Sequence, residues 1–468
     1  MTTEGEPVPS PRNVGSGNPR FFRILGATLV VIGLLLTVSL ADESYQQSKL
    51  SPSGVPIRSA ANITTVSVGS GPSTPTVDSL TGDVYIADSG ANSVTWINNS
   101  SLEAGPAIQV GAEPFPMTFD RSNGEIYVIS TNWNGGSQGG TLYAISDRLH
   151  AVTADWPVGG GAAPQTLAVD ERTGVVFVVS TPYSGGCTCY QNTTLEAISG
   201  SNNSVIWTTV IRDGGLGLAV DSQNGEVYVL SGGSHGNITV VKENDGAIVA
   251  TIKTQSFPDA AVLDEKTGNL YVENQGSDNV SIIATSTNTV VAIDQMPGEP
   301  TTMTIDSLTG NVFVGSTHSN QSRNPQFYSG TVTMIHGSTG QVASSYVFGN
   351  DFQGVVGATS TGEVVCLTYG NLTIINSTTN RPLERVPIDD NGDSYEVAYN
   401  SLNGHVYVTN WVPGTVSVLS NIPTPGTSSS GVPVFGTPAG AYYAVAATLA
   451  GCFTVVVTIW VLRHRSLD

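Results

Sequence analysis

A glycine preceded by an acidic or amide residue four positions earlier recurs along this chain of 468 residues. The glycines are Gly82, Gly124, Gly174, Gly225, Gly268, Gly310, Gly362 and Gly404. In seven of the eight units the residue four positions earlier is Asp78, Asp120, Asp170, Asp221, Asp264, Asp306 or Asn400, and in the remaining unit it is Ala358. Such a row of carboxylates could act in acid–base catalysis or bind cations. However, an Asp or Asn side chain also accepts bonds from the backbone N–H groups of its own turn, and Gly tolerates the positive φ that closes it. We therefore predict that the row is structural and marks hairpins.

A second set of carboxylates lies seven residues before the same motif positions. Its members are Glu113, Glu299, Asp351 and Asp393. If the repeats surround an axis, equal offsets place these residues at equal radii, as a partial acidic ring at the mouth of a central channel. Flexible loops with carboxylate oxygens suit a hard cation such as Ca²⁺. The four residues are therefore candidate metal ligands, with solvated acidic loops as the alternative, and no other cofactor is indicated.

Composition excludes several other classes of chemistry. The chain carries 17 Lys and Arg against 37 Asp and Glu, a net charge of −20, so it lacks the basic clusters that bind nucleic acid. The six histidines are scattered without ligand spacing, and Cys187 and Cys189 are too close for an unstrained bridge. The excess of acidic over basic residues suits a protein that is exposed to an acidic medium outside the cell.

The spacing of the glycines, 42 to 52 residues, indicates the architecture. Repeats of about 40–50 residues with several short strands each are typical of propeller blades. We predict an all-β chain that folds as a single eight-bladed β-propeller. Seven blades is the alternative, because the seventh unit has Ala358 for Asp and Val365 for the aromatic residue. An extra segment, 63–68, precedes the first unit, and we expect it to complete the last blade and close the ring.

An aromatic residue follows most of the glycines by three positions and is predicted to pack between blades. These residues are Tyr85, Tyr127, Phe177, Tyr228, Tyr271, Phe313 and Tyr407.

The segment Tyr407-Val408-Thr409-Asn410 is identical to the signature of the YVTN-type β-propeller repeat family, and Tyr271-Val272-Glu273-Asn274 differs from it by one residue. The resemblance covers roughly residues 62 to 420. It implies an extracytoplasmic propeller similar to the repeat regions of archaeal surface-layer proteins, and it implies little about chemistry.

Both ends of the chain carry a long uncharged segment. Residues 24–41 follow Arg12, Arg20 and Arg23, and are predicted to be a transmembrane anchor or a cleaved signal peptide. Residues 441–462 precede Arg463 and are predicted to be a transmembrane helix. The positive-inside rule then places both tails, 1–23 and 463–468, in the cytoplasm and the chain between them outside.

The outer part divides into three segments. Residues 42–61 form a linker, 62–420 the propeller, and 421–440 a stalk rich in Pro, Ser, Thr and Gly. We expect both linkers to leave the same face of the propeller, which we take as the face toward the membrane. The number of sequons fits a glycosylated exterior. These are Asn62, Asn98, Asn99, Asn192, Asn202, Asn237, Asn279, Asn320, Asn371 and Asn376.

The opposite face is expected to carry three long loops, 131–140, 181–193 and 316–330. Aromatic residues on loops are common anchors of binding surfaces. The candidate partner-binding residues are Trp133, Tyr183, Tyr190, Phe327 and Tyr328.

Two functions fit these features. The first is a membrane-anchored cell-surface module for binding, adhesion or scaffolding, with a surface protein, a glycan or neighbouring copies as its partner. The alternative is an extracytoplasmic propeller hydrolase or lactonase in which a cation at the channel mouth activates water. The fold does not decide between binding and catalysis.

Overall fold

The computed structural model describes residue 55 and residues 63–420, apart from 132–138, 183–191, 213, 321–326, 350–351, 359–360 and 389–393. Within these residues the protein is all-β, as predicted. Thirty-two strands form eight four-stranded antiparallel sheets, and two single-turn 3₁₀ segments lie at Gly159–Gly161 and Gln275–Ser277. The eight sheets are the blades of a propeller.

In blades 1 to 7 the four strands follow one another in chain order from the axis outward, and in blade 8 the outermost strand is β1 (Ile63–Ser67). Blade 1 is β2 (Pro72–Val77), β3 (Val84–Asp88), β4 (Ser93–Ile97) and β5 (Ile108–Gln109), and blade 2 is β6 (Pro114–Asp120), β7 (Glu125–Thr131), β8 (Gly140–Ser146) and β9 (Ala151–Val158). Blade 3 is β10 (Ala163–Asp170), β11 (Val175–Thr181), β12 (Thr193–Ser199) and β13 (Ser204–Ile211), and blade 4 is β14 (Gly217–Asp221), β15 (Glu226–Leu230), β16 (Asn237–Lys242) and β17 (Ile248–Lys253). Blade 5 is β18 (Pro258–Asp264), β19 (Asn269–Asn274), β20 (Asn279–Ala284) and β21 (Thr289–Gln295), and blade 6 is β22 (Glu299–Ile305), β23 (Val312–Asn320), β24 (Phe327–His336) and β25 (Gln341–Val347). Blade 7 is β26 (Phe352–Ala358), β27 (Glu363–Thr368), β28 (Asn371–Asn376) and β29 (Arg381–Pro387), and blade 8 is β30 (Ser394–Asn400), β31 (His405–Asn410), β32 (Thr415–Leu419) and β1 (Ile63–Ser67).

The ring is closed by the two ends of the propeller sequence. Strand β1 pairs antiparallel with β32, with Ile63 opposite Leu419 and Ser67 opposite Thr415. The inner strands of consecutive blades are in contact all round the ring, including β30 of blade 8 with β2 of blade 1. Both the eight-blade prediction and the predicted closure are confirmed, and the seven-blade alternative is wrong.

The repeated Asp positions form the hairpins that were predicted. In blade 5 the Asp264 carboxylate accepts bonds from the Lys266 N–H at 3.0 Å and from the Thr267 hydroxyl at 2.7 Å. Gly268 closes the turn with φ +68° and donates its N–H to the Asp264 carbonyl at 2.8 Å. Asn400 accepts the same kind of bond from the Leu402 N–H at 3.0 Å. These side chains therefore have a structural role in the turn, because they accept hydrogen bonds from backbone N–H groups that have no other partner in a short hairpin.

The core consists of eight clusters of buried side chains, each between two consecutive blades. The aromatic residue of each second strand lies in the cluster that its blade shares with the next one. Tyr85 packs with Ile126 and Val128 of blade 2, for example, and Tyr407 packs with Val84 and Ile86 of blade 1. Blade 7 uses Val365 in the same position, against Val406 and Val408. The predicted packing role of the aromatic residues is confirmed, and the departure in blade 7 is a smaller side chain at the same place.

The two faces of the propeller differ in their connections. The turn face carries the Asp/Asn-x-x-x-Gly hairpins and the turns between third and fourth strands. The loop face carries the connections between second and third strands and those between blades. Because Asn400, His405 and Leu419 share one end of blade 8, and Ile63 lies opposite Leu419, the chain enters and leaves the propeller on the turn face.

The two uncharged segments, 24–41 and 441–462, lie outside the described residues. No helix in the described part of the chain is long and apolar enough to cross a membrane.

Candidate binding site on the loop face

A cavity of about 490 Å³ opens on the loop face between blades 8, 1, 2 and 3. Each of these blades contributes the residue five positions before its motif Asp or Asn, namely Ser73, Phe115, Gln165 and Tyr395. All four residues fall where the register of an inner strand shifts, between Pro72 and Pro75 in blade 1 and at the equivalent places in the other three. A β-bulge re-aims the side chains that it displaces from the ladder. The cavity is therefore built by repeated bulges at the start of the inner strands.

Three aromatic side chains line the cavity, and each is about two-fifths exposed: Phe115, Tyr395 and Trp411. The Tyr395 and Trp411 rings lie 5.4 Å apart between centroids, at an angle of 45°. Gly71 flanks the indole, because a Cβ atom at this position would be 3.3 Å from Trp411 Cζ2 and 3.0 Å from the Gly90 nitrogen. Large aromatic groups left exposed in a concave site are typical anchors for a ligand.

Hydroxyl groups form the floor of the cavity beside these rings. The buried Ser73 hydroxyl donates to the Ala87 carbonyl at 3.1 Å, and the Ser89 hydroxyl donates to the Pro114 carbonyl at 2.9 Å. The two hydroxyl oxygens are 3.1 Å apart. These bonds fix the floor across blades 1 and 2, and because each hydroxyl oxygen has two lone pairs, both can still accept from a ligand.

The remaining polar groups stand on the blade 2 and blade 3 side. The Glu113 carboxylate accepts a long bond, 3.4 Å, from the Thr131 hydroxyl, and its backbone N–H donates to Asn92 Oδ1 at 3.1 Å. The Gln165 amide donates to the Ala163 carbonyl at 3.0 Å. That bond uses one of the four hydrogen-bonding positions of the amide, so Gln165 can both donate to a ligand and accept from it.

Two carboxyl groups with perturbed pKa values are next in sequence to residues that line the cavity, Tyr395 and Ser89. Burial raises the pKa of Glu396, which follows Tyr395 on β30, to about 7. Burial likewise raises the pKa of Asp88, which precedes Ser89 in sequence, to about 6, although hydrogen bonds from Thr95 and Ser93 partly offset the shift. Both groups therefore take up protons in mildly acidic solution, where an exposed carboxyl would stay ionised.

Asp88, at the end of the second strand of blade 1, occupies the position that Asn410 has in blade 8. In blade 8 the Asn410 amide donates to Thr415 Oγ1 at 3.1 Å and to Ser417 Oγ at 3.0 Å. In blade 1 the direction is reversed, and the Thr95 hydroxyl donates to the Asp88 carboxylate at 2.5 Å. The residue at the end of the second strand thus bridges to the third strand just below the loop face, whichever partner donates.

The structure places the predicted site residues in different ways. Trp133, Tyr183, Tyr190, Asp351 and Asp393 lie outside the described residues. Phe327 and Tyr328 lie on a strand and not on a loop, because β23 and β24 extend the blade 6 hairpin until Asn320 pairs with Phe327. The expectation of a loop over 316–330 is corrected for 316–320 and 327–330.

Glu113 and Glu299 stand at the loop-face ends of blades 2 and 6, which lie on opposite sides of the ring of eight. Glu113 lines the cavity. Among the described residues no group of three or more His, Cys, Asp or Glu side chains is arranged to hold a metal ion.

Phe115, Tyr395, Trp411 and Gln165 were not singled out by the sequence. The sequence did contain a signal. Phe115, Gln165 and Tyr395 each lie five residues before the Asp or Asn of their motif, whereas the predicted acidic ring lies seven residues before it. Nothing in the offset alone shows that four of its eight members meet in one cavity.

The fold and the cavity define the class of this protein as an eight-bladed β-propeller with a recessed site at the channel mouth. A scan of protein-family models and a search of curated proteins give no match for this chain. Among solved structures, hydrazine synthase of Kuenenia stuttgartiensis is similar over 75% of this chain and 96% of its own, with a TM-score of 0.50 and 13% sequence identity. At this identity the likeness shows the shared fold alone.

Proposed function

We propose that this protein is a membrane-anchored cell-surface module that binds a partner through the loop face, at the cavity between blades 8, 1, 2 and 3. The observation that carries the proposal is the cavity itself. It combines three partly exposed aromatic rings with a fixed polar floor, and it opens on the face opposite the two ends of the propeller sequence.

The positions of the two ends of the propeller sequence support this orientation. Both ends of the propeller sequence leave from the turn face, and both lead toward uncharged segments with basic residues on their far sides. Anchoring at 441–462, and at 24–41 if this segment is retained, would hold the turn face toward the membrane. The loop face would then point away from the cell. The resemblance to extracytoplasmic YVTN-type propellers agrees with this location outside the cell.

Tags test the orientation. We expect an epitope inserted between Gly276 and Ser277, on the loop face of blade 5, to be detected by antibody on intact cells. An epitope after Asp468 should be detected only after permeabilisation. Detection of the first tag only in permeabilised cells would contradict the surface placement.

Cell binding tests the site. Beads that carry the full chain are expected to bind intact cells of the source organism, and Trp411→Ala with Phe115→Ala should remove most of this binding. Leu80→Ala with Leu402→Ala is the matched control, because these two exposed apolar residues lie on the turn face. Equal binding by both double variants, or binding lost only in the control, would overturn the proposed role of the loop face.

A further inference from the structure

The cavity on the loop face places aromatic surface next to uncharged hydrogen-bonding groups. We propose that it binds a neutral carbohydrate, with one or a few sugar residues from the end of a glycan inside it. This inference rests on the proposed binding function and names its ligand class.

The aromatic pair of blade 8 supplies a platform for a sugar ring. A pyranose has a face of C–H groups that carry slight positive charge, and an aromatic ring has a negative face, so the two stack without a formal charge on either side. Tyr395 and Trp411 present two ring surfaces inclined at 45° and both partly exposed. Gly71 leaves room for the indole, because any side chain at this position would press against it.

The polar groups match the edge of a sugar, where each hydroxyl both donates and accepts. Gln165 offers donors and an acceptor, Ser73 and Ser89 offer lone pairs on oxygens already held by donation to carbonyl groups, and Glu113 offers a carboxylate. A purely apolar ligand would cover the remaining hydrogen-bonding positions of these groups without pairing them, and each donor or acceptor buried without a partner costs about 1–3 kcal/mol.

The charges around the cavity favour a neutral ligand over an anionic one. Among the residues that the structure describes, the lining includes one carboxylate, Glu113, and no Lys, Arg or His, and the whole chain has a net charge of −20. A phosphorylated, sulfated or uronic-acid ligand would find repulsion there in place of a partner.

An alkylammonium cation could use the same aromatic rings and Glu113. It would, however, leave Gln165, Ser73 and Ser89 without a ligand partner, so the full set of lining groups favours the sugar. The cavity volume of about 490 Å³ lies in the ~300–1,000 Å³ range of small-molecule sites, and its open mouth admits the end of a longer chain.

Titration calorimetry on the detergent-solubilised full chain tests the ligand class. The probes are mannotriose, cellotriose and chitotriose as neutral sugars, digalacturonate as an anionic sugar and tetramethylammonium chloride as a cation. We expect at least one neutral sugar to bind, with no binding of digalacturonate. Trp411→Ala should weaken binding about tenfold or more, whereas Glu113→Gln should change it by less than about threefold. Trp207→Phe, in blade 3 away from the cavity, is the control and should bind normally.

Several results would overturn the inference. Tetramethylammonium binding that Glu113→Gln abolishes, without neutral-sugar binding, would assign the cavity to cations. Sugar binding that survives Trp411→Ala would place the sugar elsewhere. If no sugar binds while the beads still bind cells through the loop face, the carbohydrate assignment is wrong and the binding function stands. If a neutral sugar binds but beads that carry the parent chain do not bind cells, the proposed binding function is contradicted instead.

Discussion

Ile63, in the first strand of the propeller, lies directly opposite Leu419, in its last strand, and this pairing turns an array of eight units into a ring. The same strand pair buries Val66 opposite Val416, within the cluster shared by blades 8 and 1. In a closed ring no blade exposes the apolar face that it would otherwise pack against a neighbouring blade. The stability of the ring therefore depends on contacts between residues that are 356 positions apart in sequence.

The closing strand is expected to be needed for stability. Val66→Ala should lower the free energy of unfolding by about 1–3 kcal/mol, because it removes methyl groups from a filled cluster. Thermal and denaturant unfolding measure the change. Thr65→Ala, at the neighbouring exposed position, should stay within about 0.5 kcal/mol of the parent protein. An equal effect of both substitutions would mean that β1 does not close the ring in solution.

The motif aspartates are expected to act in turns only. Asp264→Ala should cost about 0.5–2 kcal/mol of stability, because it removes the acceptor of the Lys266 N–H and the Thr267 hydroxyl. Asp264→Asn should cost less, since Asn400 serves blade 8 in the same way. Neither substitution should change binding of beads to cells. Loss of binding with unchanged unfolding would instead give Asp264 a functional role.

Stability is expected to rise as the pH falls from about 8 to about 5. Burial raises the pKa of Glu273 to about 8, with a further contribution from Asp259, and raises those of Glu363 and Glu396 to about 7. Each group binds its proton more tightly in the folded than in the unfolded chain, so folding becomes more favourable as the pH falls through the folded pKa toward the unfolded one. Melting temperature against pH measures this.

The gain should end below about pH 4, near the unfolded carboxyl pKa values. Burial would raise the pKa of Glu226, but hydrogen bonds from Lys242 and Asn288 hold it below its usual value, so its contribution is lost there. Glu273→Gln should raise the free energy of unfolding at pH 8 by about 1–3 kcal/mol and flatten the profile above pH 6. Glu265→Gln, at an exposed site, is the control and should leave the profile unchanged. A parent profile that falls between pH 8 and 5 would contradict the prediction.

The effect of calcium on stability tests whether the predicted acidic ring binds a metal ion. The alternative hydrolase function requires such an ion, whereas a binding module does not. If the ring binds Ca²⁺, the ion at ten times its Kd should stabilise the full chain by about 1.4 kcal/mol, and a chelator should reverse the shift. Glu299→Gln with Asp351→Asn should abolish it, whereas Glu103→Gln, an exposed control on the turn face, should not. A melting temperature that is the same in calcium and in chelator would remove these residues as ligands.

Much of the fold could be predicted because the information repeats. A turn such as Asp264 to Gly268 is specified by neighbouring residues, and eight copies at similar spacing indicate a ring of blades. The buried positions of Tyr85 and Tyr407 follow from the same alternation, since a side chain on the same face of each second strand meets the next blade. Even the departure at Val365 did not disturb the count, because the surrounding strands kept their pattern.

The cavity on the loop face was not predicted from the sequence, for a related reason. Exposed aromatic residues were predicted on three long loops, yet Phe327 and Tyr328 extend a hairpin as strand. Tyr395 and Trp411 belong instead to an inner strand and a tight turn, where sequence patterns indicate ordinary structure.

The blades, their order and the strand that closes them follow from the amino-acid sequence, because local turn chemistry and alternating burial act within each repeat. The choice of eight blades over seven came from the observed sheets. The meeting of Ser73, Phe115, Gln165 and Tyr395 in one cavity depends on how the blades pack together. These residues are far apart along the chain, and bulges together with ring closure bring them to the same channel mouth. The pKa values of Asp88 and Glu396 also depend on this packing, since burial is a property of the packed ring and of no single segment.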